Sequence, residues 1–193
     1  MIKYIPILLI TLLFSCNTKK YKKTIKFEKS TILHLINENQ DSLHKKNKIG
    51  HVFFAIDTEC PLCISYSKTM MKLYNTYKED LKFYAFLPSP IFSNEKTDVF
   101  IKKYHFNMPL IVDTNQIITS FLDAKTTPEC FLLDNDLNIL YQGLIDNWIK
   151  ELGRKGKNID TEYLNEAIMT YLLNDTIMIQ NTNAIGCIIE RFK

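Results

Sequence analysis

Several features are scarce in this chain of 193 residues, and each scarcity excludes something. The N-terminal apolar stretch, Ile5 to Phe14, offers about ten residues where a bilayer needs ~20, so it reads as an export signal and not as a span. An excess of one sign of charge is scarce as well: a net charge of +3 is too slight to imply nucleic-acid binding. No internal repeat or low-complexity segment follows the Lys-rich stretch near the N-terminus. The pair Cys60–Cys63 lacks a second Cys-x-x-Cys or a His-containing pair, and His34, His44, His51 and His105 are scattered, which leaves the usual four-ligand zinc site unsupported. Zinc held by Cys60, Cys63 and Cys130, or copper held by the dithiol with one His, remain as minor readings. What is plentiful is apolar and aromatic material: 46% hydrophobic and 12% aromatic residues, against 23% charged, describe a globular chain with one core.

The start of the chain carries an address. Lys3 precedes the apolar stretch, and Leu13-Phe14-Ser15-Cys16 resembles the lipobox of bacterial lipoproteins. The resemblance implies acylation of the Cys16 sulfur and cleavage just before it. Asn17 to Lys29 then holds six Lys and one Glu, a like-charged run that stays solvated and serves as a tether off the membrane. Asn17 beside the lipidated residue resembles an outer-membrane sorting pattern. Export puts Cys60, Cys63, Cys130 and Cys187 in an oxidising compartment, where four thiols permit zero, one or two bridges.

Periodicity supplies the elements. Residues 30–46 place Ile32, Leu33, Leu35, Ile36 and Leu43 near one face of a helix capped by Ser30 or Thr31. "HVFFAID" is a continuous apolar run, as expected of a strand covered on both faces. A helix begins at "CPLC", with Pro61 in its first turn. There follow a strand in "LKFYAFLPS", a helix in "EKTDVFIKKYHF", and a short strand and short helix in "MPLIVDTNQIITSFLDAK". "TTPECFLLDNDLNILYQGLID" reads as a hairpin turning at Asp134-Asn135-Asp136, and "DTEYLNEAIMTYLLND" as a closing helix with Leu164, Ile168, Tyr171 and Leu172 on one side. Strands alternating with helices indicate an α/β sandwich with a mixed sheet.

A dithiol at a helix start is a chemical as well as a geometric signal. The reactive species is the thiolate, and the unpaired N–H groups and positive dipole end of a first turn favour it at Cys60. Cys63, one turn deeper, can attack a mixed disulfide on Cys60 and release its partner.

These residues carry a resemblance to the thioredoxin-fold redoxins. "FFAIDTECPLC" resembles their strand, loop and active-site helix, and "TTPECFLLDND" their Thr-Pro segment facing the dithiol. The resemblance implies a cis Pro128 and a Thr127 whose backbone binds an extended substrate. "YQGLIDN", the late helix and "TNAIGCII" resemble redoxin-domain proteins standing between peroxiredoxins and thioredoxin-like reductases. Many of those carry Ser where this chain has Cys63, which favours a dithiol mechanism here. The peroxiredoxin pattern wants a Thr three residues and a Pro seven residues before the nucleophile, and Asp57 and Phe53 stand there. The buried acid of thioredoxins is replaced by Phe54, leaving Glu59, Asp57 and Glu129 as proton-transfer candidates. Cys130 either approaches the site or lies inert in the core. Cys187 either docks back as a resolving thiol or pairs with Cys130.

The expectation is a thioredoxin-like three-layer α/β sandwich with a mixed central sheet, an N-terminal helix and a C-terminal extension. Residues 1–16 form the signal, 17–29 the tether, 30–174 the domain and 175–193 the extension. The activity expected is thiol–disulfide exchange without metal or organic cofactor, through a redox-active disulfide. Protein thiols or disulfides and an upstream electron donor are the partners expected, with the membrane reached through the lipid anchor and no nucleic acid. The location expected is the cell envelope, facing the periplasm from the outer membrane. Two other readings stay open: a thiol peroxidase using Cys60 and Cys187, and a non-catalytic lipoprotein that carries metal or binds partners.

Overall fold

Apolar runs of strand length that lack polar alternation must be covered on both faces, and the chain folds accordingly. The structure, a computed structural model, describes residues 29–38, 49–89 and 93–191. The signal, Cys16, the tether as far as Glu28 and residues 39–48 lie outside the described residues, while Lys29, expected to end the tether, belongs to the first helix. Helix α1 (Lys29–Glu38) begins just before Ser30. Strand β1 (Gly50–Ala55) is buried at every residue. After it come α2 (Pro61–Tyr77), β2 (Lys82–Leu87), α3 (Asn94–Tyr104), β3 (Leu110–Val112) and α4 (Ile117–Phe121). The second half holds β4 (Thr126–Thr127), β5 (Glu129–Asp134), β6 (Ile139–Gly143), β7 (Ile149–Glu151), β8 (Arg154–Lys155), α5 (Tyr163–Leu172) and β9 (Cys187–Ile188).

The five-stranded sheet has the order β3-β2-β1-β5-β6. β1 pairs parallel with β2, and β2 with β3, while β5 runs antiparallel to both β1 and β6. The parallel pairs require helical crossovers, which α2 and α3 supply. Successive residues of a strand face opposite ways, so Val52 and Phe54 enter one core with Met70 of α2, Phe100 of α3 and Leu164 of α5. Phe53 and Ala55 enter the other, with Ile32 of α1 and Ile118 of α4. Helices therefore cover both faces, giving the expected three layers around a mixed sheet.

The hairpin turns where the sequence places it, with the Asp134 carboxylate accepting hydrogen bonds from Asn138 N and Nδ2 at 2.8 Å each. The hairpin's first strand starts later than expected, because Thr126 and Thr127 leave the central sheet and pair with β9 instead. Beyond α5 the C-terminal extension is fastened down. Thr182 N donates to Gln142 O at 3.0 Å, and its Oγ1 accepts from Leu144 N at 2.8 Å. The approach is so close that a Cβ on Gly143 would lie 2.2 Å from Thr182 O, and the φ of +129° independently favours glycine. Farther on, Gln116 Nε2 donates to Glu190 O at 2.6 Å and Arg191 Nη2 to Ala124 O at 2.6 Å. Ile189, only 7% exposed, joins the second core.

His51, at the edge of this core, is 2% exposed and stacks near Phe53 and Tyr84 at 6.3 Å. Burial, reinforced by the Lys82 charge and opposed by Asp134, pushes its pKa down from 6.5 to about 4. A depressed pKa gives stability that is complete above pH 6.5 and lost as pH falls through 4. The shift is equivalent to about 3 kcal/mol. Chemical denaturation of His51→Phe should therefore lose clearly less stability than the parent between neutral pH and pH 4; parallel acid profiles would show that His51 does not set this limb.

Candidate active site

The site is assembled where β1 runs out. Cys60 follows the loop after β1 and takes the N-cap position of α2, with φ −68° and ψ 120°, outside the helical region. Pro61 suits the first helical position because it has no N–H to leave unpaired. The Cys60 sulfur consequently faces backbone N–H groups of Leu62 and Cys63. Its pKa is pushed down to about 5, chiefly by the hydrogen bond from the Cys63 thiol; burial opposes, and Cys187 and the first-turn N–H groups add to the lowering. The site thus holds a thiolate at neutral pH, the form that attacks disulfides.

Cys63 is fully buried, which is the main reason its pKa lies well above the ordinary value; its hydrogen bond to Cys60 and the Cys60 charge act in the same direction. The Asp57 N–H lies 3.4 Å from its sulfur. The two cysteines are therefore unequal: Cys60 carries the charge and is 3% exposed, while Cys63 is neutral and wholly sealed in.

Facing them is the Thr-Pro segment, and the Thr127–Pro128 peptide bond is cis. The Cys60 sulfur is 3.4 Å from Thr127 O. The backbone edge expected to receive a substrate carries the chain's own strand β9, with Thr127 opposite Cys187 and Thr126 opposite Ile188. That pairing sets Cys187 Sγ 2.8 Å from Cys60 Sγ. Of the two places foreseen for Cys187, beside the dithiol or beside Cys130, it lies in the first. Cys130 instead points its thiol at Gly143 O and Leu144 O, each at 3.3 Å, and burial holds its pKa well above normal. All four described cysteines are free thiols. Among the described residues no group of three or more His, Cys, Asp or Glu side chains is arranged to hold a metal ion.

The three candidate carboxylates separate. Glu129 is buried, and its Oε2 accepts from Lys125 N at 2.7 Å and Thr126 N at 3.2 Å, so it shapes the loop before Pro128. Burial raises its pKa despite those bonds. Glu59 is exposed and paired with Lys96 at 2.7 Å. Asp57 accepts from Glu59 N at 2.8 Å, and its charge contributes to raising the pKa of Cys187. Asp57, Glu59, Lys96, Thr127 and Cys187 share the lining of a cavity of about 340 Å³. Sequence reasoning missed Gly186. A Cβ there would sit 2.3 Å from Thr127 O, and a lone glycine before a cysteine does not reveal which backbone it must approach.

No protein-family model matches the chain, and no curated protein matches it. Solved structures do. A hypothetical protein of Sinorhizobium meliloti is similar at a TM-score of 0.64 and 22% identity, over 74% of this chain and 80% of its own. An uncharacterized conserved protein of Geobacillus kaustophilus gives 0.64 and 21%, over 75% and 78%. A candidate thioredoxin of Neisseria meningitidis gives 0.51 and 20%, over 67% and 77%. At these identities the likeness is one of fold, and the chain has the thioredoxin fold, with its dithiol at the helix start and its cis proline opposite.

The charge distribution among the thiols can be titrated directly. Ultraviolet thiolate absorbance of the reduced protein should show one group ionising with a midpoint near pH 5, absent in Cys60→Ser. Cys63→Ala removes the leading hydrogen-bond donor and should move the midpoint upward. An unchanged midpoint would assign the lowered pKa to the helix end instead.

Proposed function

We propose that the chain is a thiol–disulfide oxidoreductase of the cell envelope, with Cys60 as nucleophile and Cys63 as the buried thiol that completes the redox pair. The observation that carries this reading is the Cys60 sulfur at the N-terminus of α2, hydrogen-bonded by Cys63 and beside the cis Thr127–Pro128 segment. The Cys63 hydrogen bond, helped by Cys187 and the helix end, favours a thiolate, and the cis-proline loop offers a backbone edge against which an extended chain can pair. Occupation of that edge by β9 supports its capacity to bind extended polypeptide.

In the forward cycle the Cys60 thiolate attacks a substrate disulfide and forms a mixed disulfide, and one substrate thiolate leaves. Attack by a second thiol on Cys60 then releases the other substrate thiolate, so two electrons pass from the protein to the substrate. A dithiol donor restores the reduced form. The proton-transfer group favoured by position is Asp57, whose backbone adjoins Cys63 and whose carboxylate shares the cavity with Cys187. Glu129 and Glu59 are engaged by the loop backbone and by Lys96.

The signal-like N-terminus and Cys16 support a lipid-anchored protein that acts on exported polypeptides from the periplasmic side of the outer membrane. The name thioredoxin carried by the Neisseria meningitidis neighbour agrees with the reading by analogy of fold.

Insulin reduction driven by dithiothreitol should fall to the uncatalysed rate in Cys60→Ser. A Cys63→Ala/Cys187→Ser chain should retain envelope proteins as mixed disulfides on Cys60, separable by reducing agent. Parent-like turnover in Cys60→Ser would refute the assignment.

A further inference from the structure

The two-cysteine cycle leaves one sulfur without a task, although it touches the nucleophile. We propose that Cys187 is a third redox residue of this site: it resolves mixed disulfides on Cys60 and shares one exchangeable disulfide with Cys60 and Cys63. This rests on the reading of Cys60 as a redox nucleophile and deepens it.

Three observations carry the proposal. The sulfurs of Cys60 and Cys187 are 2.8 Å apart although the residues are 127 positions apart in sequence. The seat is specific: β9 pairs with β4, Ile189 N donates to Lys125 O at 2.9 Å, and the chain presses so closely that only glycine fits at 186. Gln116 and Arg191 grip the backbone and end of the same segment. Finally, access differs, since Cys63 is fully buried and Cys60 is 3% exposed, while Cys187 is only partly covered. A thiol meeting solvent and nucleophile together is suited to displace a leaving group outward.

The step balances without an added oxidant. With a substrate sulfur already bonded to Cys60, the Cys187 thiolate attacks Cys60 Sγ. The Cys60–Cys187 bond forms, the bond to the substrate breaks, and the substrate leaves as a thiolate that takes up the proton Cys187 has lost. Attack of Cys63 on Cys60 Sγ can then break the Cys60–Cys187 bond, form Cys60–Cys63 and return Cys187 to the thiol. That second exchange involves no net oxidation. A dithiol donor reduces whichever disulfide is present.

Electrostatics supports this order of events. In the reduced site Cys187 is pushed up to about 12 by burial, by its hydrogen bond to Cys60 and by the Cys60 and Asp57 charges. Bonding Cys60 to a substrate removes its charge and its acceptor, so two causes disappear at the moment Cys187 must ionise. Cys63 loses the same two; burial is the leading cause for both thiols, and Cys63 is the more deeply buried of them.

The test uses the full chain and oxidised glutathione, followed by non-reducing peptide mapping. Cys63→Ala should close a Cys60–Cys187 crosslink and retain roughly tenfold less glutathione on Cys60 than Cys63→Ala/Cys187→Ser. Cys63→Ala/Gly186→Ala, which keeps both sulfurs but spoils the seat, should resemble the latter. Equal glutathione on Cys60 with and without Cys187 would overturn the role of Cys187 and leave the Cys60 nucleophile standing. No glutathione on Cys60 in Cys63→Ala/Cys187→Ser would remove the redox reading itself, and this proposal with it.

Discussion

Three sulfurs meet at one helix end, and the surroundings favour charge on only one of them. Cys60 receives the N–H groups of the first turn of α2 together with hydrogen bonds from Cys63 and Cys187. The same bonds, seen from the donors, raise the pKa of both partners. The site is therefore a single negative charge with two attached protons. Both protons are thus released from that hold when Cys60 forms a bond and gives up its charge.

The rest of the fold keeps that arrangement in register. β1 is buried on both faces and delivers the chain to the N-terminus of α2 at a fixed height. β5, antiparallel to β1, brings Glu129 opposite Ala55, and the Glu129 carboxylate ties down Lys125 and Thr126. This sets Thr127 O beside Cys60. A buried carboxylate that accepts two backbone bonds is costly to place in an apolar core, and its effect is structural, since the loop it closes is the one that pairs with β9. One of the three carboxylates considered for proton transfer thus shapes the edge that β9 occupies.

Much of this was legible in sequence because it is local. An apolar run without alternation, a proline one residue inside a helix, and cysteines one turn apart are governed by neighbours a few positions away, and β1, α2 and the dithiol follow. The cis Thr127–Pro128 bond came through the family resemblance, since the dipeptide alone does not choose an isomer. The seat of Cys187 was only half legible. β9 has two residues, too short for any periodicity, and its partner lies some 60 positions earlier. Gly143 and Gly186 mark the close approaches that seat the extension, but each becomes meaningful only once Thr182 and Thr127 are known to face it. Residue type likewise shows that Glu59, Asp57 and Glu129 can carry charge, not that Lys96, the Glu59 N–H and the loop before Pro128 have already engaged each of them.

The C-terminal extension also changes how substrate access must be understood. The edge beside the cis proline, which the family resemblance assigns to substrate, is filled here by β9, and Cys60 is 3% exposed. The hold is made mostly of backbone bonds to a two-residue strand and of side-chain bonds at its end, with Ile189 the buried apolar anchor and Ile188 84% exposed. Two strand residues and one buried isoleucine are a modest attachment; burying an isoleucine is worth only about 1.5–3 kcal/mol. A substrate strand offering comparable backbone bonds and its own side-chain contacts can displace it, whereas a small disulfide gains no backbone pairing and must reach Cys60 through the cavity beside the seated extension. Under the proposed function the extension therefore favours extended polypeptide without shutting out a small disulfide, and Cys187 must come back beside Cys60 before the substrate leaves, since it is the thiol that displaces it.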